Sequence, residues 1–244
     1  MNTIQKRYCL TGSGIVLVLV GLVFGGRYFT KGTFFPLEEH NLKQKGPKNA
    51  PVVLTVYSDF QCPACQKAYL PIEELRKQFP DDIRVEFRHY PLERAHRWAI
   101  PAAIFAECAA EQGKFWEYHD RLYSEQSKWA ILEDAIPMLV KYAQEAGLSR
   151  EPFEACVGNP KTLERIRAER LSGERRQVQS TPTMFINETR LVGYLELTDR
   201  GKNIVSSELE KVGRKAVVAD VPKAVVAENA PPVVTDDTRK AAAP

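Results

Sequence analysis

The chain has 244 residues, enough for one domain of ordinary size with appendages or for two small domains. Apolar residues make up 44% of it, so it can build a sizeable core, which excludes a wholly disordered or fibrous chain. A net charge of +3 argues against nucleic-acid binding, and five cysteines are too few for a disulfide scaffold of this length.

The N-terminal region contains an uncharged, largely apolar stretch at residues 8–26, between Arg7 and Arg27. As a helix it would span about 28 Å, close to the thickness of the hydrocarbon core of a bilayer. We therefore predict a cytoplasmic head and one transmembrane anchor within residues 1–30, with the rest of the chain outside the cytoplasm. A cleaved signal peptide is the alternative, because the most apolar part is short enough for a signal sequence.

Two further segments have compositions unlike that of a folded core. Residues 31–50 are rich in Lys, Gly, Pro and Asn, which predicts a linker. Residues 214–244 are rich in Ala, Val and Pro and contain no aromatic residue, Leu or Ile, which predicts a disordered tail. The working domain is therefore expected at residues 51–213.

The domain begins with a pattern typical of a parallel β-α-β unit. The apolar, β-branched run at residues 52–57 predicts a central strand covered on both faces. Apolar residues at helical spacing follow, from Ala68 to Phe79, with Pro71 expected to bend this helix. Residues 83–90 alternate between apolar and polar side chains, which predicts a second, parallel strand.

The rest of the domain is expected to be helical and then to return to the sheet. Residues 93–178 have helical patterns throughout, and the strongly charged segment 161–177 predicts a solvated helix. Short strands at 183–186 and 190–193 and a final helix at 196–212 close the domain. The fold class is α/β, with a helical insertion in the sheet.

One group of residues has a clear chemical meaning, the CPAC sequence between the first strand and the first helix. At a helix start, Cys62 would lie over unpaired backbone N–H groups, which favour its thiolate and lower its pKa. Pro63 suits the first helical turn, and Cys65, one turn inward, should be shielded and act as the resolving thiol. Half of a zinc site is one alternative for this pair, and it fits poorly because no second CXXC or HXXXH occurs. A purely structural disulfide is the other, and a three-residue spacing at a helix start is poor geometry for one.

Four segments, in order, resemble the DsbA-like thiol–disulfide oxidoreductases of the thioredoxin superfamily. The first is YSDFQCPAC at residues 57–65, which resembles the active-site segment of that family. The others are RHYPL at 88–92, AECAAEQGKFWEYHD at 106–120 and STPTMFIN at 180–187. The resemblance implies a thioredoxin-like fold with an inserted helical domain at about residues 93–178.

The resemblance also implies roles for individual residues. Pro182 would be a cis-proline facing the two cysteines, and Thr181 before it would present its backbone to a substrate peptide. Pro63 and Ala64, between the cysteines, would also contact the substrate. No metal and no cofactor is expected beyond the redox-active disulfide itself.

Cys108 and Cys156 are expected to form a structural disulfide, which the resemblance implies. The closed loop would be worth about 4 kcal/mol in the chain-entropy model. Two separate buried thiols are the alternative.

The predicted function is thiol–disulfide exchange with cysteine-containing exported proteins by an enzyme tethered to the cytoplasmic membrane and facing the periplasm or the cell exterior. The leading hypothesis is a dithiol oxidase, re-oxidised by a quinone-linked membrane partner. Because no histidine lies between the cysteines, it should be a weaker oxidant than relatives that have one there. A reductase or isomerase fed with electrons through the membrane, and a non-catalytic binding or chaperone module, are the alternatives.

Other polar residues near these motifs receive simpler interpretations. His89 is expected to be a hydrogen-bonded core histidine at the end of a strand, and His96 and His119 are given no catalytic role. Asp59, three residues before Cys62, is interpreted as a turn residue, with tuning of Cys62 as the alternative.

Overall fold

The structure is a computed structural model, and it describes residues 41–219. Within that range the chain forms one sheet of five strands, in the order β1-β3-β2-β4-β5. The strands are β1 (Gln44–Lys45), β2 (Val52–Ser58), β3 (Ile83–His89), β4 (Thr183–Ile186) and β5 (Thr189–Val192). β2 and β3 are parallel, and the other neighbouring strands are antiparallel.

Helix α1 (Pro63–Gln78) connects β2 to β3, and α8 (Gly193–Lys211) follows β5. Both helices cover the sheet face that carries Leu54 and Met184. α1 continues through Pro71, where the sequence predicted a bend. Burial of each large aliphatic side chain in this layer stabilises the fold by about 1.5–3 kcal/mol.

The helical insertion lies between β3 and β4, as the sequence predicted. Its six helices in the described chain are α2 (Ala99–Glu111), α3 (Phe115–Ser124), α4 (Gln126–Trp129), α5 (Ile136–Glu145), α6 (Arg150–Val157) and α7 (Pro160–Arg175). Helix α2 is apolar around most of its circumference, and nine of its thirteen residues are buried. The insertion packs its own core against the active-site end of the sheet, through residues such as Phe60 and Phe87.

The fold is thus α/β with a helical insertion between β3 and β4, and this part of the prediction is confirmed. Within residues 41–219, no helix is long and apolar enough to cross a membrane. The predicted anchor in residues 1–30 lies outside the described residues, as does most of the predicted tail.

The structure differs from the sequence prediction at both ends of the domain. Residues 41–50 were expected to be linker, but they contribute β1, which pairs with β3 through Gln44 and Glu86. At the other end, Ala216 packs on the core, and the backbone N–H of Ala219 donates to the carbonyl of Gln78. Segments this short show no hydrophobic periodicity, so sequence alone does not assign them to the fold.

A buried cluster of charges accounts for another difference. Helix α7 was predicted to be solvated, yet Glu169 is buried and its carboxylate lies 2.7 Å from the ammonium of Lys43. Lys43 also lies 2.6 Å from Glu107, whose other oxygen accepts from Arg165 at 3.0 Å. The charges of α7 are therefore partly buried because they are paired.

Candidate active site

The two cysteines lie where strand β2 ends and helix α1 begins. Cys62 is the N-cap residue, with extended backbone angles (φ −73°, ψ 122°), and Pro63 occupies the first helical turn. The backbone N–H groups of Cys65 and Gln66 donate to the carbonyl of Cys62 and close the first turn. This local geometry follows the sequence prediction, because proline suits the one turn of a helix that needs no N–H donor.

The Cys62 thiol is strongly acidified. A hydrogen bond from the Cys65 thiol outweighs burial and, with the backbone N–H groups of Ala64 and Cys65, lowers the pKa of Cys62 from 9.0 to about 6. At pH 7 Cys62 would thus be mainly in the thiolate form. The sequence prediction named the helix N–H groups as the main cause, whereas the structure gives the larger effect to Cys65.

Cys65 has the opposite character. Its side chain is 2% exposed, and burial together with the hydrogen bond to Cys62 raises its pKa well above 9.0. The backbone N–H of Asp59 contacts its sulfur at 3.5 Å. Both thiols are free in the structure. Cys62 is also buried, at 7% exposed, so the two thiols differ mainly in their pKa values.

The loop before β4 lies against the reactive sulfur. The Thr181–Pro182 peptide bond is cis, and the Cys62 thiol donates to the carbonyl of Thr181 at 3.5 Å. The carbonyl of Pro182 accepts from the N–H of Gly193 at 2.9 Å, which ties this loop to the start of α8. The structure therefore brings Thr181 and Pro182 next to Cys62, although they are about 120 residues away in sequence.

Asp59 is more than a turn residue. Its carboxylate is fully buried and accepts hydrogen bonds from the backbone N–H groups of Gln61 and Leu92, both at 2.8 Å. Nδ1 of His96 lies 2.8 Å from the same carboxylate. The sequence interpretation missed this pairing, because His96 lies in the loop between β3 and α2 and no periodic pattern connects it to the active-site turn.

A family comparison agrees with this geometry. The sequence profile of a protein family described as thioredoxin matches residues 42–211, which is more than half of the chain. The chain belongs to the thioredoxin family. The reactive Cys62 beside the buried Cys65 is the arrangement that the predicted thiol–disulfide exchange would need.

Solved structures with similar folds include other thioredoxin-like proteins. Wolbachia pipientis alpha-DsbA1 has a TM-score of 0.60 and 20% identity, over 69% of this chain and 91% of that chain. Oxidised BdbD from Bacillus subtilis has a TM-score of 0.60 and 20% identity, over 69% of this chain and 92% of that one. At this identity the likeness shows the fold alone.

Sequence relatives carry a different name. A protein named Na(+)/H(+) antiporter NhaA 1 from Mycolicibacterium vanbaalenii is 38% identical over 162 residues, which are 65% of this chain and 25% of that protein. A similarly named protein from Salinispora tropica is 34% identical over 155 residues, 64% of this chain and 23% of its own length. The thioredoxin-family chain thus spans about a quarter of the length of these relatives.

Two glutamines hold the active-site turn of this thioredoxin-family protein, and sequence reasoning missed both roles. The buried amide of Gln126 donates to the carbonyls of Phe60 and Cys62, at 2.7 and 3.0 Å. The amide of Gln61 donates to the carbonyl of Ala130 and accepts from the N–H of Trp98. Hydrogen bonds to the helical insertion therefore hold the turn that carries Cys62 in place.

The remaining predicted site residues lie apart from these contacts or at the rim. Cys108 in α2 and Cys156 in α6 are joined in a disulfide, so the structure brings together the pair that the resemblance implied. Pro63 is exposed and Ala64 half-buried beside Cys62. His89 is buried, but its Nε2 makes no well-formed hydrogen bond and lies 3.3 Å from Glu107, whereas a fully hydrogen-bonded ring was expected.

Among residues 41–219 there is no group of three or more His, Cys, Asp or Glu residues that could hold a metal ion. The expectation that no cofactor is needed stays a prediction.

Proposed function

We propose that the protein is a membrane-tethered, extracytoplasmic dithiol oxidase that passes the Cys62–Cys65 disulfide to exported proteins. The observation that carries the proposal is the asymmetry of the two thiols. A stabilised Cys62 thiolate favours the reduced form of the pair, so its disulfide is readily given up to a substrate. Cys62 is 7% exposed, against 2% for Cys65, and it adjoins the exposed Pro63, so a substrate is expected to reach Cys62 first.

The exchange proceeds in two steps. A substrate thiolate attacks the sulfur of Cys62 in the oxidised pair, the Cys62–Cys65 bond breaks, and the Cys65 thiolate takes up a proton. A second substrate thiolate then attacks the substrate sulfur of the mixed disulfide, and Cys62 departs as a thiolate. Two electrons pass from the substrate dithiol to the pair, and the low pKa of Cys62 makes it a good leaving group in the second step.

The loop at Thr181 and Pro182 is the proposed peptide-binding element. Contact between the Cys62 thiol and the Thr181 carbonyl places this backbone beside the reacting sulfur. An extended substrate peptide that pairs with the Thr181 backbone would hold its cysteine next to Cys62. Pro63 and Ala64, which follow Cys62 in the chain, complete the proposed contact surface.

The proposed location outside the cytoplasm has support from the second cysteine pair. Disulfides of the Cys108–Cys156 type persist in oxidising compartments and are rare in the cytosol. The apolar segment at residues 8–26 supports tethering to the membrane. Re-oxidation would then require a membrane partner that accepts two electrons from the Cys62–Cys65 dithiol, and a quinone-linked protein is the proposed class. Because the antiporter relatives match over only a quarter of their length, ion transport is not part of this proposal.

Disulfide transfer to a reduced, unfolded protein with two cysteines tests the proposal. The oxidised full chain should oxidise one substrate dithiol per chain within minutes, as followed by alkylation of the remaining thiols. Cys62→Ser should abolish the transfer, and Cys65→Ser should accumulate mixed disulfides with its partners in cells. Transfer that survives in Cys62→Ser, or a wild-type chain that only reduces substrate disulfides, would contradict the proposal.

Membrane tethering is tested separately by cell fractionation. The full chain should stay in the membrane fraction after alkaline carbonate washing, with residues 41–219 open to protease added from outside the cytoplasmic membrane. Release by the wash would instead favour a cleaved signal peptide.

A further inference from the structure

A histidine from a distant loop lies beside the active-site turn. His96 follows β3 by seven positions, and its Nδ1 lies 2.8 Å from the Asp59 carboxylate. The His96 side chain is partly exposed, whereas that of Asp59 is fully buried. The His96 ring therefore reaches solvent, whereas the Asp59 carboxylate lies within the active-site turn.

The Asp59 residue contacts both ends of the redox pair through its backbone. Its carbonyl accepts from the N–H of Cys62 at 3.1 Å, and its own N–H contacts the sulfur of Cys65 at 3.5 Å. Its carboxylate also holds the N–H of Gln61, next to Cys62 in sequence. A negative charge at Asp59 is thus built into the turn that must carry the Cys62 thiolate.

The Asp59 carboxylate and the Cys62 thiolate belong to the same turn, and like charges repel one another more strongly in a poorly hydrated site than in water. Uncompensated, the Asp59 carboxylate would disfavour the Cys62 thiolate and hence the reduced pair. A protonated His96 cancels that charge. Its hydrogen bond to Asp59 raises the pKa of His96, against the lowering effect of burial, and the charge of Cys62 acts in the same direction.

We propose that His96 is a positioning residue that sets the oxidising strength of the Cys62–Cys65 pair by neutralising the buried Asp59 carboxylate. No histidine lies between the two cysteines, and His96 supplies from the β3–α2 loop the positive charge that the CPAC sequence lacks. The inference rests on the proposed function, because it concerns the same redox pair. The sequence prediction of a weaker oxidant than relatives with a histidine between the cysteines considered only those two inner residues.

The other charges near His96 do not replace it. Within the active-site turn, Asp59 and Cys62 are the titratable groups that raise the pKa of His96. Its own loop carries Arg94 and Arg97, both exposed, and Arg97 lies over the ring of Trp98 at 4.8 Å. Surface charges of this kind are screened by water and salt, so they should contribute little to the thiolate.

The test compares His96→Gln with Arg94→Gln in the full chain, each of which removes one basic side chain from the same loop. The equilibrium with glutathione and the pKa of Cys62, from thiolate absorbance, are measured between pH 6 and pH 9. His96→Gln should shift the equilibrium toward the protein disulfide by about threefold to tenfold at pH 6–7, or roughly 15–30 mV. The Cys62 pKa should rise, and Arg94→Gln should change neither quantity.

The pH profile separates a charge effect from loss of structure. The wild-type chain and His96→Gln should converge as pH rises above the pKa of His96, because the wild-type imidazole is then also uncharged. In the Asp59→Asn background, the effect of His96→Gln should shrink. An equal shift at every pH, or no difference from Arg94→Gln, would overturn the inference while leaving a reversible redox couple intact. Absence of a reversible couple in the wild-type chain would instead contradict the proposed function.

Discussion

Replacement of Lys43 by Met should destabilise the domain more than any ordinary surface substitution. The Lys43 ammonium lies 2.6 Å from Glu107 and 2.7 Å from Glu169, and all three side chains are at most 6% exposed. Removal of one partner from a buried ion pair costs about 3–5 kcal/mol, because the remaining charges stay buried without compensation. Arg165, 3.0 Å from Glu107, still offers some compensation, so we expect the lower end, about 3 kcal/mol.

Thermal unfolding of the full chain, followed by circular dichroism, measures this loss. For a domain of this size, a loss of 3 kcal/mol lowers Tm by roughly 6–12 °C. Lys45→Met, two residues further along the chain, is the matched control. Its ammonium lies 3.1 Å from Glu73 but is 27% exposed, so the loss should be about 1 kcal/mol or less.

The pH dependence gives a second check on the same reasoning. Burial alone would raise the pKa of Glu107, but Lys43 and His89 outweigh it and hold the pKa below 4.5. A carboxylate with a depressed pKa adds stability at neutral pH that is lost as pH falls below its unfolded value. The difference between wild type and Lys43→Met should therefore shrink in acid. Equal losses in Lys43→Met and Lys45→Met at pH 7 would refute the argument.

Three further predictions concern the thiols and the packing of α7. The rate of alkylation of Cys62 should rise with pH around a midpoint of about 6, and a midpoint above 8 would contradict the proposed acidification. Joint replacement of Cys108 and Cys156 by Ala should lower the free energy of unfolding by about 4 kcal/mol without moving the Cys62–Cys65 potential, and a moved potential would link the two pairs. Gly173→Ala should cost about 1–2 kcal/mol, because its Cβ would lie 2.9 Å from two tyrosine rings. At Gly158 an added Cβ would lie 3.5 Å from its nearest neighbour, which is ordinary van der Waals contact. Gly158→Ala should therefore leave the free energy of unfolding nearly unchanged in the same denaturation assay.

The parts of the site that sequence predicted are those that a short stretch of chain determines. Cys62, Pro63 and Cys65 follow one another at a strand-to-helix junction, so their geometry is largely local. The position of Pro182 beside the cysteines is implied by a family resemblance over eight residues, not by physical reasoning about distance. In both cases the signal is contained in one continuous motif.

The parts that sequence missed depend on contacts between distant segments. His96 reaches Asp59 across 37 positions, and Gln126 reaches Cys62 across 64. Lys43 was placed in a linker because its neighbours are polar, and only its partners 64 and 126 positions away explain its burial. A single polar residue has no periodicity, so its role becomes visible only when the tertiary structure supplies the partner.

The reduction potential of the Cys62–Cys65 pair in the full chain tests the central claim most directly. Equilibration in glutathione buffers, with the free thiols trapped by alkylation, gives the value. A dithiol oxidase requires a potential well above that of thioredoxin, and we expect roughly −200 to −120 mV. A potential near about −270 mV would contradict the account and make the protein a reductase.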